Sequence, residues 1–273
     1  MAIKIGIFGT TGRMGRMLAR EILDDTNCQL VGGTVREGSP FMDKSLHEVL
    51  GLPSNVVLPP DAMNTISAEK LLAACDVAID FTRAEVSVHH AYVAAAMGKP
   101  IVIGTTGFNQ EQVQMLADAA NHVPIVLAPN MSVGVTLLTA ITEIVAQTLD
   151  AKYDIEIVEM HHRHKIDAPS GTALALADAA AKGRNVALKT RAVYDRKGNS
   201  GPRKRGDIGF ATLRGGDVIG EHTVMFASDG ERVELTHKAT DRRIFAQGAV
   251  VAAKWIVNHQ PGRYSMKDVL GFS

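Results

Sequence analysis

The sequence predicts an α/β chain in two parts, a parallel sheet covered by helices followed by an α+β region. Three observations carry this. Up to about Asn130, short apolar β-branched runs alternate with longer segments of helical period, the pattern of strand–helix–strand units. These runs are continuously apolar rather than alternating, as in strands buried on both faces. Beyond Asn130 the rhythm changes to one long helix, a strand of period two and a series of Gly-rich turns. A chain of 273 residues is long enough for two domains.

In the first part, strands are expected over Ile3–Phe8, Leu30–Val35, Val77–Phe81, Pro100–Ile103 and Ile125–Leu127, each a short β-branched or aromatic run. Between them Arg13–Asp24, Ser67–Cys75, Glu85–Met97 and Gln110–Asn121 are rich in Ala, Leu, Glu and Gln and read as helices. The third of these runs into Gly98-Lys99-Pro100, a helix stop. In the second part a helix is expected over Gly134–Leu149, a half-buried strand over Asp154–His161 and another helix over Ser170–Lys182. Several short strands are expected between Thr190 and Lys238, separated by turns such as Arg214-Gly215-Gly216-Asp217 and Ser228-Asp229-Gly230-Glu231. The basic stretch Asp195–Asp207 reads as a mobile, solvated loop. A last amphipathic helix, Arg243–Asn258, cannot bury its apolar face alone and is assigned back to the first domain. The predicted domains are therefore residues 1–130 with 241–273, and residues 131–240.

Composition narrows the function. Lys+Arg and Asp+Glu both number 29, so the cationic excess that phosphate-backbone binding needs is missing and no nucleic-acid partner is expected. The two cysteines, Cys28 and Cys75, build no disulfide framework and suit a reducing compartment. The opening MAIKIGIFG is too short for a signal peptide, and no later apolar run reaches membrane-spanning length. A cytoplasmic protein acting on small molecules, with no membrane partner, is expected.

The densest signal in the first part is Gly9-Thr10-Thr11-Gly12-Arg13-Met14-Gly15, placed after a strand and opening a helix. There glycine lets the backbone approach a dinucleotide pyrophosphate, and the helix N-terminus attracts the anion. The spacing is GxxGxxG rather than GxGxxG, and a tight turn needing positive φ is the competing explanation. The strand before, the helix after and the α/β pattern beyond favour nucleotide binding. At the end of the second strand, where a carboxylate would hold the ribose of NAD, stands Arg36. A cation there suits the 2′-phosphate of NADPH, which is expected to be preferred while NADH remains possible. Three later turns follow strands of the same sheet and could face the nicotinamide: Phe81-Thr82-Arg83, Gly104-Thr105-Thr106-Gly107 and Ala128-Pro129-Asn130-Met131.

In the second part the run Glu159-Met160-His161-His162-Arg163-His164-Lys165-Ile166-Asp167-Ala168-Pro169-Ser170-Gly171-Thr172 concentrates imidazole and cationic groups. Adjacent imidazoles on a strand point to opposite faces, which weighs against a metal site, and none is expected. A solvated basic patch is a second possibility. The third is an anion-binding catalytic site, with His exchanging a proton near neutral pH, Lys165 supplying charge, and Ser170-Gly171-Thr172 opening a helix that can hold a carboxylate. In an extended strand His161 and Lys165 lie about 13 Å apart. For both to meet one small molecule the chain must bend between them.

With GTTGRMG, DFTR at Asp80–Arg83, VIGTTGF at Val102–Phe108, NMSVGV at Asn130–Val135, EMHHRHKIDAPSGTA and IGFATLRGGDVIGEHTV at Ile208–Val224, the chain resembles the 4-hydroxy-tetrahydrodipicolinate (dihydrodipicolinate) reductases of diaminopimelate–lysine biosynthesis over essentially its whole length. The resemblance implies a Rossmann-like nucleotide domain completed by the C-terminal helix. It also implies an α+β substrate domain whose open mixed sheet builds a homotetramer. Gly9, Thr10, Thr11, Gly12, Arg13 and Met14 would hold the pyrophosphate, Arg36 the adenosine ribose or its phosphate, and Phe81, Gly104, Thr105, Thr106, Ala128, Pro129, Asn130 and Met131 would lie toward the nicotinamide. His161 matches the family's proton donor and Lys165 its second acid or substrate-activating cation. His162, Gly171 and Thr172, with Ser170 beside them, match the part that binds the carboxylates of a cyclic dicarboxylate substrate. The implied enzyme is an NAD(P)H-dependent oxidoreductase. The family often has an acidic residue just before its counterpart of Arg36, and Val35 stands there instead. Two other functions share the two-domain plan, a dehydrogenase of aspartate-derived metabolites and a non-catalytic NADP sensor. Against the first, this chain has no cysteine placed as an acylating nucleophile and carries the HHRHK block, and the second fits poorly with the retention of His161 and Lys165.

Overall fold

The structure, a computed structural model, describes residues 1–59 and 62–272. In chain order its elements are β1 (Ile3–Phe8), α1 (Arg13–Asp24), β2 (Cys28–Thr34), α2 (Leu46–Leu50), β3 (Asn64–Thr65), α3 (Ala68–Ala74), β4 (Val77–Asp80), α4 (Ala84–Met97), β5 (Ile101–Ile103), α5 (Gln110–Ala120), β6 (Pro124–Leu127) and α6 (Val133–Thr148). There follow β7 (Asp154–His161), α7 (Gly171–Gly183), a 3-10 turn (Leu188–Thr190), β8 (Ala192–Val193), β9 (Ile208–Arg214), β10 (Gly220–Ser228), β11 (Glu231–Ala239), α8 (Arg243–Ile256), β12 (Gly262–Tyr264) and α9 (Met266–Val269). They form two compact units, Met1–Ser132 with Arg243–Ser273, and Val133–Arg242.

The first unit is a seven-stranded sheet in the order β12-β6-β5-β4-β1-β2-β3, every pair parallel. Alternate side chains go to opposite faces. Ile5, Ile7, Ile79, Val102 and Val126 pack against Leu18 and Ile22 of α1 and Ala249 and Ala253 of α8. Phe8, Ala78, Ile101, Ile103 and Ile125 pack against α3, α4 and α5 through Leu71, Ala91 and Leu116. Both faces are covered, which is why these strands are apolar throughout. Lys254 of α8 bonds Asp25 at 2.6 Å and Arg243 bonds Glu21 at 2.6 Å, tying the last long helix to α1 and the turn after it. Sheet growth reverses between β1 and β4, and ligands of such sheets bind beyond the strand ends at that switch point.

One strand boundary and four short elements differ from expectation. The second strand runs Cys28–Thr34 rather than Leu30–Val35, and at its end the Thr34 hydroxyl and carbonyl accept the N–H groups of Gly9 and Thr10, both at 3.1 Å. The elements α2, β3, β12 and α9 have 5, 2, 3 and 4 residues, too few for any hydrophobic period to register.

The second unit is a five-stranded mixed sheet in the order β11-β10-β7-β9-β8. The β7–β9 and β8–β9 pairs are parallel, and β10 runs antiparallel to both β7 and β11. Helices α6 and α7 contribute Leu138 and Leu176 to a core with Ile155, Ile157, Phe210, Val224 and Phe226. By the same alternation Val158, Met160, Thr223 and Met225 point to the other face. Between Thr190 and Lys238 only β8 is short: β10 and β11 have nine residues each and pair along their whole length around Asp229-Gly230.

The basic stretch 195–207 is exposed over most of its length, as expected, but two of its arginines tie it to β7. Arg203 donates to Glu156 at 2.9 Å, Asp154 at 2.8 Å and the carbonyls of Ile155 and Asp207 at 2.9 and 2.6 Å. Arg196 makes a bidentate pair with the same Glu156 at 2.8 and 2.9 Å. Gly209 makes this possible, since a Cβ there would stand 2.0 Å from the Glu156 carboxylate. Arg203→Ala should lower the local opening free energy by about 1–2 kcal/mol. Hydrogen exchange across residues 195–207 should then quicken roughly tenfold; unchanged exchange would show the arginine to be incidental.

Candidate active site

The glycine loop after β1 is built for close approach. Gly9 has φ +79°, and a Cβ on Gly15 would lie 2.3 Å from the Gly9 carbonyl, so α1 can start tight against the loop only with glycine at both positions. Gly12 caps α1 without a side-chain bond, so the first-turn amides of Arg13, Met14 and Gly15 point out of the helix. Arg13 and Arg36 are exposed and make no ion pair among the described residues. Thr10 departs from expectation. Its side chain is wholly buried, with the hydroxyl 3.1 Å from the Thr34 carbonyl and 2.7 Å from the Asn64 amide, in a space left by Gly33. It ties the loop to β2 and β3 and presents no group to a ligand.

A second cluster joins the loops after β4 and β5. Asp80, wholly buried, receives the Thr82 N–H and hydroxyl at 2.8 and 2.7 Å on one oxygen and His90 Nδ1 at 2.7 Å on the other. Ser87 donates to Thr105 at 2.8 Å and lies 3.3 Å from the Thr82 hydroxyl, while the His90 ring stacks on Phe8. Phe81 lies across Gly104, where a Cβ would meet the ring at 2.2 Å. Of the residues expected toward the nicotinamide, Thr106 and Pro129 are exposed and Phe81 and Asn130 half-buried. Met131 is another correction: its side chain belongs to the core and its carbonyl abuts Gly248 of α8, so only its backbone could serve a ligand.

In the second unit, period two puts Glu159 and His161 on the helix-covered face of β7. His161 Nδ1 lies 2.5 Å from Glu159 Oε2. The Glu159 carboxylate, 1% exposed, also receives both Nη groups of Arg214 at 2.8 and 2.9 Å and the Ser170 N–H at 3.0 Å. An ionised carboxylate can only accept, so Nδ1 carries the proton and Nε2 is left for other chemistry. Gly220 keeps Nε2 uncovered, since a Cβ there would sit 3.0 Å from it.

The chain bends directly after His161. Lys165 N–H bonds the His162 carbonyl at 3.1 Å, folding residues 162–165 into a turn, and Arg214 holds the turn's far side through the Asp167 carbonyl at 2.6 Å. Lys165 pairs with Asp167 at 2.8 Å. Gly171 and Thr172 open α7, which Ser170 caps. The Ser170 side chain, expected at a substrate, instead accepts the Ala173 N–H at 3.1 Å and bonds His222 Nε2 at 3.0 Å.

Burial pushes the His161 imidazole below its ordinary value, the cations Lys165 and Arg214 add to this, and Glu159 opposes it. Burial alone would raise Glu159, but Arg214, His161 and the Ser170 amide hold it below the usual carboxylate range. His222, edge-on to His161 at 5.0 Å, is pushed by burial down to about 4 and is neutral near pH 7. Burial pushes both thiols, Cys28 and Cys75, up to about 11, so neither is a ready nucleophile. No group of three His, Cys, Asp or Glu among the described residues could hold a metal ion.

The sequence model described as "Dihydrodipicolinate reductase, N-terminus" matches residues 3–131, and that described as "Dihydrodipicolinate reductase, C-terminus" matches residues 134–270. The chain belongs to the dihydrodipicolinate reductase family. A 4-hydroxy-tetrahydrodipicolinate reductase of Thiobacillus denitrificans is 47% identical over 271 residues, 99% of each chain, and one of Magnetococcus marinus is 48% identical over 272 residues, all of both chains. A dipicolinate-bound dihydrodipicolinate reductase of Paenisporosarcina has the same fold, with a TM-score of 0.76 at 24% identity, covering 97% of this chain and 98% of that one. As a dihydrodipicolinate reductase family member the chain is an NAD(P)H-dependent oxidoreductase.

Glu159, Arg214, His222 and the Asp80–His90 pair escaped the sequence. Only the spacing of Glu159 and His161, two apart on a period-two strand, signalled a shared face. Arg214 reaches it through the parallel register that sets His161 beside Arg214. An unfolded His222 titrates near 6.5 and the folded one at about 4, so the unfolded chain binds the extra proton between those values. Stability should therefore be full above pH 6.5 and fall as pH drops toward 4, by on the order of 3 kcal/mol from this group. In urea unfolding at pH 7 and pH 4, His222→Asn should shrink the acid loss by that amount; an undiminished loss would contradict the assignment.

Proposed function

We propose that this chain reduces 4-hydroxy-tetrahydrodipicolinate, by way of dihydrodipicolinate, to tetrahydrodipicolinate in lysine and diaminopimelate biosynthesis, with NADPH preferred over NADH and His161 as proton donor. The observation that carries it is the His161 imidazole, held at Nδ1 by a buried carboxylate and open at Nε2, beside a cationic turn and the start of α7.

Bound to the first unit, the reduced nicotinamide supplies a hydride. The chain's own groups do the rest. Gly9 and Gly12 with the first-turn amides of α1 hold the pyrophosphate. Arg36, exposed beyond β2 with the buried apolar Val35 in front of it, meets the 2′-phosphate without a competing carboxylate at that position. In the second unit Lys165, His162 and the opening of α7 at Gly171 and Thr172 bind the two carboxylates, and positive charge there favours electron density arriving on the ring. A substrate carboxylate beside Lys165 brings added negative charge near His161 and opposes the effects that depress it, so substrate binding favours loading of the proton. His161 then releases it from Nε2 to the ring carbon, and its lowered proton affinity makes it the better donor.

The outer face of the second sheet, with Val158, Met160 and Met225 and with Leu213 49% exposed, is the surface we assign to a homotetramer. Two unpaired thiols suit a cytoplasmic location, and among the described residues no helix is long and apolar enough to cross a membrane.

His161→Ala should lose about 10²- to 10⁴-fold in kcat with a smaller change in KM. Lys165→Ala should lose both kcat and substrate affinity. Full turnover by His161→Ala across the pH range would remove the imidazole from the chemistry. Separately, Arg36→Ala should raise KM for NADPH about tenfold and leave that for NADH unchanged; equal NADPH affinity in parent and variant would leave Arg36 a surface cation.

A further inference from the structure

The geometry points to Glu159 and Arg214 as paired positioning residues that act on His161 in opposite directions, the carboxylate fixing the ring and favouring its protonation, the guanidinium restraining that pull. This rests on His161 being the proton donor proposed above. Glu159 is 1% exposed, and all four of its observed bonds come from donors placed by different elements: His161 on β7, two from Arg214 at the end of β9, and the Ser170 amide at the cap of α7. Arg214 also donates to the carbonyls of Leu213 at 2.7 Å and Asp167 at 2.6 Å, so one guanidinium spans the carboxylate behind His161 and the turn that carries Lys165.

The charged and titratable groups around the imidazole are Glu159 on its own strand, Arg214 from β9, His222 from β10 and Lys165 from the turn. A carboxylate 2.5 Å from Nδ1 would by itself hold the imidazolium strongly and slow its release of a proton. Arg214 shares both carboxylate oxygens and divides that attraction, leaving a fixed ring that still gives up its proton. If Glu159 and Arg214 only held the fold, replacing either would lower activity equally at every pH.

The test uses the intact enzyme, with the His161 ring followed by nitrogen-15 NMR titration and kcat measured against pH. Arg214→Met should move the His161 midpoint up by about one pH unit, and Glu159→Gln should move it down by a similar amount. The limb of the kcat profile where activity falls with rising pH should move the same way in each variant. Arg214→Lys, which keeps a charge but not the bidentate contact, should give an intermediate midpoint and stands in if Arg214→Met fails to fold. Midpoints that do not move, or that move in one direction in both variants, overturn the proposal. A midpoint that moves as expected while the kcat profile stays still leaves the two residues acting on His161 as stated and rejects His161 as the proton donor.

Discussion

Glu159 is a charge placed where water cannot reach it, and the functional end of the second unit is arranged around that cost. A carboxylate at 1% exposure is tolerated only when its lone pairs are met. Meeting them requires the strand that carries it, the parallel neighbour that delivers Arg214 and the helix cap that offers the Ser170 amide. Each donor brings something the site uses. The imidazole arrives with its tautomer chosen, the arginine with the turn at residues 162–167 attached, and the amide with the start of α7 held beside them. Removing one donor leaves a buried charge short of a partner, so the arrangement is kept as a whole.

The first unit solves a different problem with smaller means. Its loops pack tightly on themselves, so side chains are absent where they would clash, at Gly9 and Gly15 where the turn enters α1, at Gly33 against Thr10 and at Gly104 against the Phe81 ring. What replaces them as scaffold is buried hydrogen bonding: Thr10 to β2 and β3, and Asp80, His90, Thr82, Ser87 and Thr105 linking the loops after β4 and β5. These polar groups lie inside otherwise apolar surroundings, where hydrogen-bonded networks hold one arrangement of the loops. Rigid loop tips are what cofactor orientation needs.

Much of this was readable from the chain. The glycine spacing after a β-branched run, the alternation Asp154–His161 and the cap-forming Ser170-Gly171-Thr172 are local signals, and local signals survive in a sequence. A bend between His161 and Lys165 was expected on the condition that both meet one small molecule, and the chain does turn there. What could not be read depends on contacts between distant positions. Arg203 looked like part of a solvated basic run until Glu156 and Asp154 were set beside it. Thr10, Met131 and Ser170 stood in motifs expected to face a ligand, but their side chains turn inward to hold the motif in place. Arg214 was legible only as the start of a Gly-rich turn, because its role exists only once β9 lies parallel to β7.

The central claim is that the Nε2 of His161 faces a doubly negative ring held by Lys165 and the start of α7. The most direct measurement is a crystal structure of the enzyme with NADPH and pyridine-2,6-dicarboxylate, a planar mimic of that ring. The mimic's carboxylates should lie on Lys165, Gly171 and Thr172, with Nε2 near hydrogen-bond reach of the ring, about 3 Å, and Nδ1 still on Glu159. A mimic bound elsewhere, or an imidazole turned so that Nε2 points away from it, would contradict the account.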